Sequence, residues 1–142
     1  KITTITLNPD EALSFAKKTD DNNISFRNIM NESIYNKFLF SNTDVEKKID
    51  IIFQNSLEFD EKRFEKKMDL IFIDGGHTYS VVKNDTVKAF KMLNSSGIIL
   101  WHDYVPGKRS SRDVVKCIDE ISKNVKIQNI KNTSLCYYKK DN

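Results

Sequence analysis

Met68–Tyr104, MDLIFIDGGHTYSVVKNDTVKAFKMLNSSGIILWHDY, is the stretch of sequence that decides the fold. Its two short apolar runs, 70–73 and 98–101, lack strict alternation and are typical of strands buried on both faces of a parallel sheet. Gly97 stands where a helix between the two runs is expected to stop. The predicted inner face of that helix contains Val81, Val82, Val87, Phe90 and Leu93. The stretch therefore predicts a strand, a helix and a second strand joined in a right-handed crossover.

A polar turn with a histidine and an acidic residue follows each of the two predicted strands. Asp74 and His77 lie in the first turn, and His102 and Asp103 form the second. Ligands of open α/β sheets bind outside the carboxyl ends of the strands. We therefore expect these four side chains to converge on one crevice.

Length and composition predict one globular domain over residues 1–142. Hydrophobic residues make up 39% of the chain and charged residues 30%, as in soluble globular proteins rather than disordered ones. The net charge of +3 is spread along the chain, so no nucleic-acid surface is expected. No apolar run is long enough for a membrane span and no signal peptide is visible, which predicts a cytoplasmic protein. Cys117 and Cys136 are predicted to be buried thiols.

The remaining segments predict further strands and helices around this central unit. Residues 1–7 form a predicted strand, and Pro9 begins a predicted helix that runs to about Lys18. The segment 24–48 shows no clear periodicity and is interpreted as an insertion, most simply a packed surface one. The later elements are a strand at 48–54, a helix that starts after Ser110 or Ser111 and ends near Lys123, and strands at 126–130 and 134–138.

With these elements placed, the chain resembles the class I S-adenosylmethionine-dependent methyltransferases, in particular those acting on small molecules. The resemblance rests on DLIFIDGGHTYSVVKNDTVKAFKML at 69–93, GIILWHDY at 97–104 and NTSLCYY at 132–138. KITTITLNPDEAL and IIFQNSLEFD fit the second and third strands of that family. The resemblance implies an α/β, Rossmann-like sheet that is mostly parallel, has an antiparallel last strand and is incomplete at the N-terminus.

Two features depart from the family's pattern. The family's glycine-rich turn after its first strand is absent, since all four glycines follow the second strand. That first strand normally lies between strands two and four, so its absence would leave two unpaired strand edges. The family also often has an acidic residue at the end of strand two, where this chain has Thr6, Leu7 and Asn8. Asn8 can still donate and accept hydrogen bonds to a ribose.

The resemblance assigns roles to particular side chains. Residues expected to bind the cofactor are Thr6, Leu7, Asn8, Ser56, Leu57 and Asp74. The expected catalytic residues are Asp74, His77 and His102, with His77 suited to general-base work. Asp74 and Asp103 would form a hard-oxygen pair for a divalent cation, as in the catechol-type branch. That branch has an Asp-Asn pair at the second position, whereas Tyr104 follows Asp103 here.

The expected function is methyl transfer from S-adenosylmethionine to an oxygen or nitrogen of a small-molecule or sugar-type acceptor. The expected cofactors are S-adenosylmethionine and Mg²⁺ or another divalent cation. Neither a nucleic-acid nor a membrane partner is expected, and a homo-oligomer is left open. Two alternatives remain, because a fold does not fix its chemistry: a metal-dependent hydroxylase-like relative and a degenerate domain without catalysis.

Overall fold

A computed structural model describes residues 1–8 and 38–140, which fall into two compact units, Lys1–Phe59 and Asp60–Asn142. Each unit is described by itself. The predicted helix from Pro9 to Lys18, and the predicted insertion up to residue 37, lie outside the described residues. The part of the insertion that is described consists of turns and a short 3₁₀ helix, Glu46–Lys48. A single domain over 1–142 stays a prediction.

The first unit contains a pair of parallel strands, β1 (Ile2–Thr6) and β2 (Ile49–Phe53). Their register pairs Ile2 with Ile49 and Thr6 with Phe53, so both carboxyl ends lie at the same edge. The predicted strands at 1–7 and 48–54 are confirmed.

The second unit contains a four-stranded sheet with the order β3-β4-β6-β5. Its elements are β3 (Met68–Ile73), α1 (Tyr79–Met92), β4 (Leu93–Trp101), α2 (Arg112–Ser122), β5 (Gln128–Asn129) and β6 (Cys136–Lys139). β3 and β4 are parallel, and β6 is antiparallel to both β4 and β5. The predicted crossover and the antiparallel last strand are confirmed. Within the described residues, β3 pairs with β4 alone and β1 with β2 alone.

The core of the second unit lies between one face of this sheet and the two helices. Its fully buried side chains include Leu93, Ile99, Trp101, Cys117, Ile118 and Cys136. The indole nitrogen of Trp101 donates to the Thr86 hydroxyl, 2.9 Å away inside the core. Both cysteines are free and buried as predicted, and burial raises the pKa of the Cys117 thiol to about 11.

The predicted inner face of the helix is confirmed only in part, and its predicted end is wrong. Its buried face consists of Val82, Thr86, Ala89 and Met92, whereas Val87 is 48% exposed. The polar Thr86 is buried because it accepts the indole hydrogen bond, which the apolar pattern could not indicate. Gly97 does not stop the helix, since α1 ends at Met92 and β4 begins directly at Leu93. Gly97 is needed inside β4 because a Cβ there would lie 2.9 Å from the carbonyl oxygen of Met68.

The described helices share one further property. None of them is both long enough and apolar enough to cross a lipid bilayer. The cytoplasmic location stays a prediction.

Candidate functional site

Two adjacent strand ends build the candidate site in the second unit. Ile73 and Trp101 are in register, and the His102 amide donates to the Ile73 carbonyl at 3.0 Å. This pairing places Asp74, which follows β3, beside His102, which follows β4. The convergence expected from two parallel strand ends is therefore present in the structure.

Asp74, His77, His102 and Asp103 contact one another closely. The Nδ1 atom of His102 lies 3.1 Å from Asp74 Oδ1 and 3.1 Å from Asp103 Oδ2. The Nε2 atom of His77 lies 2.8 Å from the same Asp103 oxygen. Asp103 is the least exposed of the four, with 19% of its side chain accessible, and Asp74 the most, with 44%. The cluster thus has one protected carboxylate at its centre and remains open to ligands on the Asp74 side.

The backbone of Asp103 adopts a conformation that non-glycine residues rarely occupy. Its φ angle is +59°, in the left-handed region, where a side chain costs roughly 1–2 kcal/mol. The neighbouring Tyr104 amide holds this turn by donating to the Ser134 carbonyl at 2.9 Å. Strained backbone of this kind is often found at functional sites.

Tyr104 is held in place by the second helix. Its hydroxyl donates to Asp119 Oδ1 at 2.8 Å. Burial, followed by this hydrogen bond to a carboxylate, raises the pKa of Tyr104 to about 12. The residue after Asp103 is therefore a neutral anchor between β4 and α2, which accounts for a tyrosine at this position.

One side chain of the site was not predicted from the sequence. The Ser134 hydroxyl lies 3.1 Å from Nε2 of His102, on the side of the ring opposite to the carboxylates. Ser134 precedes β6, whose antiparallel register pairs Cys136 with Trp101. That register brings the turn before β6 beside the end of β4. The serine belongs to the segment 132–138, which resembles the family, but only the pairing of β6 with β4 indicates that it contacts His102.

The donor atoms of the cluster fit a divalent cation. One atom each from Asp74, His102 and Asp103 lie within 4.8 Å of one another. The Nδ1 atom of His102 is buried and has no hydrogen-bond partner, although two carboxylate oxygens lie 3.1 Å away. A buried polar atom without a partner is costly unless something else satisfies it. Two carboxylate oxygens and one imidazole nitrogen are a donor set that suits Mg²⁺, Mn²⁺ or Fe²⁺.

The predicted cofactor-binding residues of the first unit also lie together at a strand-end edge. The Thr6 carbonyl accepts from the Gln54 amide at 2.8 Å, which extends the pairing of β1 and β2 by one step. Leu7 and Asn8 follow Thr6, and Ser56 and Leu57 follow β2. The Leu57 amide donates to Asn55 Oδ1 at 3.0 Å, so the second turn is fixed by its own side chain. Asp74 belongs to the second unit and is the only predicted cofactor residue at the histidine cluster.

A comparison of the sequence with protein-family models identifies the chain. The model that describes a methyltransferase domain matches residues 1–104, from the beginning of the chain to the end of the second polar turn. The chain belongs to the methyltransferase domain family. The resemblance to class I S-adenosylmethionine-dependent methyltransferases is thereby confirmed. No curated protein matches the sequence.

Solved structures show the same fold at low sequence identity. A Corynebacterium glutamicum protein is 13% identical, with a TM-score of 0.54 over 97% of this chain and 71% of its own. A candidate rRNA methylase from Clostridium thermocellum is 15% identical, with a TM-score of 0.54 over 97% of this chain and 88% of its own. The MycE methyltransferase of the mycinamycin pathway, solved with Mg and SAH, is 17% identical over 97% of this chain and 44% of its own. Its TM-score of 0.49 is too low to support an argument about function. The first two likenesses support the Rossmann-like methyltransferase fold.

Proposed function

We propose that this protein transfers a methyl group from S-adenosylmethionine to an oxygen or nitrogen of a small-molecule or sugar-type acceptor. The observation that carries the proposal is the cluster of Asp74, His102 and Asp103 at adjacent strand ends of a methyltransferase domain. Methyl transfer from a sulfonium needs an aligned nucleophile and a group that takes or shields its proton. The cluster offers both charge and a base at the expected edge of the sheet.

The cofactor contacts are proposed from the family resemblance. In the first unit, Thr6, Leu7 and Asn8 are assigned to the ribose, and Ser56 with Leu57 to the adenine. In the second unit, Asp74 is assigned to the amino-acid part of the cofactor. Asn8 replaces the usual carboxylate with an amide, which still supplies a donor and an acceptor.

A divalent cation is proposed for the cluster because the buried Nδ1 atom of His102 needs a partner. Asp74, Asp103 and His102 would hold it, so His102 is a ligand in this proposal. A bound cation supplies positive charge that favours the deprotonated form of an acceptor hydroxyl. The side chain of Asp74 is 44% exposed, which leaves room for an acceptor oxygen on that side.

His77 is proposed as the general base. Its Nε2 atom lies 2.8 Å from Asp103 Oδ2, and a proton held on Nε2 would leave Nδ1 as the proton-free nitrogen of the neutral ring. In the transfer, the acceptor's lone pair forms a bond to the methyl carbon while the carbon–sulfur bond breaks. The bonding electrons stay on sulfur as the neutral thioether of S-adenosylhomocysteine, and the acceptor proton passes to Nδ1 of His77. The carboxylate of Asp103 then stabilises the resulting imidazolium.

The experiment measures S-adenosylhomocysteine formation from S-adenosylmethionine with catechols, sugars and amines as acceptors, with added Mg²⁺ or with a chelator. Turnover by at least one acceptor, lost in Asp74→Asn and kept in Asp69→Asn, is the expected result. Asp69 is the matched control because it is also an aspartate and lies in β3, near the end of the strand opposite to the one that Asp74 follows. Folded protein that binds S-adenosylhomocysteine but turns over no acceptor would favour the degenerate domain. Hydroxylated product would favour the hydroxylase-like alternative.

A further inference from the structure

The imidazole of His102 lies between two chemically different neighbours. On one side, its Nε2 atom is 3.1 Å from the Ser134 hydroxyl. On the other side, its Nδ1 atom faces the oxygens of Asp74 and Asp103. The hydroxyl is the sole neighbour of the ring, among the described residues, that makes a hydrogen bond with either nitrogen.

Ser134 is fixed by the backbone on both sides of it. Its carbonyl accepts from the Tyr104 amide at 2.9 Å, and the next residue, Leu135, accepts from the Ile130 amide at 2.9 Å. The turn that precedes it is closed by the Thr133 hydroxyl, which donates to the Ile130 carbonyl at 2.7 Å. The serine hydroxyl is therefore presented to His102 by a braced turn rather than by a free loop.

The two possible tautomers of neutral His102 differ in which ring nitrogen carries the proton, and therefore in which neighbour that proton faces. With the proton on Nδ1, the N–H would face two carboxylate oxygens 3.1 Å away, and their charge favours this tautomer while the cation site is empty. With the proton on Nε2, Ser134 Oγ accepts it and Nδ1 presents a lone pair to the cluster. A lone pair facing two carboxylates is favourable when a cation lies between them.

We propose that Ser134 is a positioning residue that holds His102 as the Nε2–H tautomer, so that Nδ1 faces the cation site. The proposal rests on the cation assigned under the proposed function, and cation binding is measured separately from the tautomer. Ligating histidines commonly donate their second ring nitrogen to a neighbouring acceptor, which fixes the tautomer and the ring orientation. Here the acceptor is the hydroxyl of Ser134, in the turn before β6.

The same three side chains do not form a hydrolytic triad. Ser134, His102 and Asp74 stand in the spatial order of serine, histidine and aspartate. A triad requires the imidazole Nδ1–H to donate to the carboxylate, which keeps Nε2 free to take the serine proton. That hydrogen bond is not formed, so the serine acts as a partner of the ring and not as an activated nucleophile.

The first test is the tautomer of His102 in protein with Mg²⁺, a diamagnetic cation, at a concentration that just saturates the wild type. Long-range proton–nitrogen correlation spectra distinguish the two tautomers, and with only two histidines in the chain a His77→Gln variant assigns the signals. We expect mainly Nε2–H in the wild type and in Ser134→Thr, and a mixture in Ser134→Ala. An Nδ1–H tautomer in the wild type, or an unchanged tautomer in Ser134→Ala, would overturn the proposal.

The second test is Mn²⁺ affinity, measured by electron paramagnetic resonance on the same proteins. Ser134→Ala should bind Mn²⁺ about 10–100-fold more weakly, and Ser134→Thr should restore binding. Thr133→Ala is the comparison variant, because it removes a hydroxyl that braces the same turn but keeps the Ser134 hydroxyl, so it should weaken Mn²⁺ binding less than Ser134→Ala does. Equal loss in Thr133→Ala would show a general effect of the turn and refute the specific role. A wild type that binds no Mn²⁺ would refute the cation site of the proposed function and this role of Ser134 with it, whereas tight Mn²⁺ binding that Ser134→Ala leaves unchanged would refute the role of Ser134 alone.

Discussion

Replacing Asp103 with glycine or with alanine tests whether the site stores backbone strain. Both changes remove the carboxylate, and they differ only in a Cβ atom at a position whose φ angle is +59°. In the left-handed region that atom costs roughly 1–2 kcal/mol, while glycine loses about 0.5–1 kcal/mol through its freedom in the unfolded chain. Asp103→Gly should therefore be more stable than Asp103→Ala by up to about 1.5 kcal/mol.

The assay is urea unfolding in chelator, followed by the fluorescence of Trp101, the single tryptophan of the chain and a fully buried one. A difference near 1 kcal/mol shifts the midpoint by about 0.5 M urea for a chain of this size. Asp74 provides the control, since its backbone is not left-handed and alanine should there equal or exceed glycine in stability. If Asp103→Ala is at least as stable as Asp103→Gly, the backbone at this position carries no strain and the prediction is refuted.

Three further predictions concern the core and the frame of the site. Thr86→Val should lower the free energy of unfolding by about 1–3 kcal/mol in urea unfolding, because the buried indole N–H of Trp101 loses its acceptor; unchanged stability would contradict this. Gly97→Ala should lower the free energy of unfolding by about 1–3 kcal/mol in the same assay, because the added Cβ would lie 2.9 Å from a carbonyl oxygen of β3. An unaltered urea midpoint would show that β3 and β4 move apart at no cost and would contradict this prediction. The pKa of Tyr104 is raised to about 12 by burial and by its bond to Asp119, so folding favours the neutral phenol. The contribution of the Tyr104 phenol to stability should be complete below pH 10 and lost as the pH rises towards about 12. The free energy of unfolding, measured across that range, should therefore fall less in Tyr104→Phe than in the wild type.

The sequence predicts the parts of the fold that depend on local pattern. The apolar runs before Asp74 and before His102 predict two parallel strands, and parallel strands bring their carboxyl ends to one edge. That is why the contact between these two side chains follows from the sequence alone. The left-handed turn at Asp103 has no such pattern, because aspartate is common in turns of every kind.

Features that depend on long-range pairing are not predictable in the same way. Ser134 meets His102 only because β6 pairs antiparallel with β4 in one particular register. Thr86 is buried because Trp101 reaches it, and a threonine within a helical pattern otherwise indicates a surface position. The local pattern predicts a helix stop at Gly97, because the actual constraint, a carbonyl oxygen of the neighbouring strand, leaves no signal in the adjacent sequence.

The most direct measurement of the central claim is a calorimetric titration of S-adenosylhomocysteine into the protein, with and without Mn²⁺. We expect saturable binding of one S-adenosylhomocysteine, and separate binding of Mn²⁺ that is lost in Asp74→Asn. Absence of S-adenosylhomocysteine binding, in samples shown to be folded, would contradict the proposed methyl transfer.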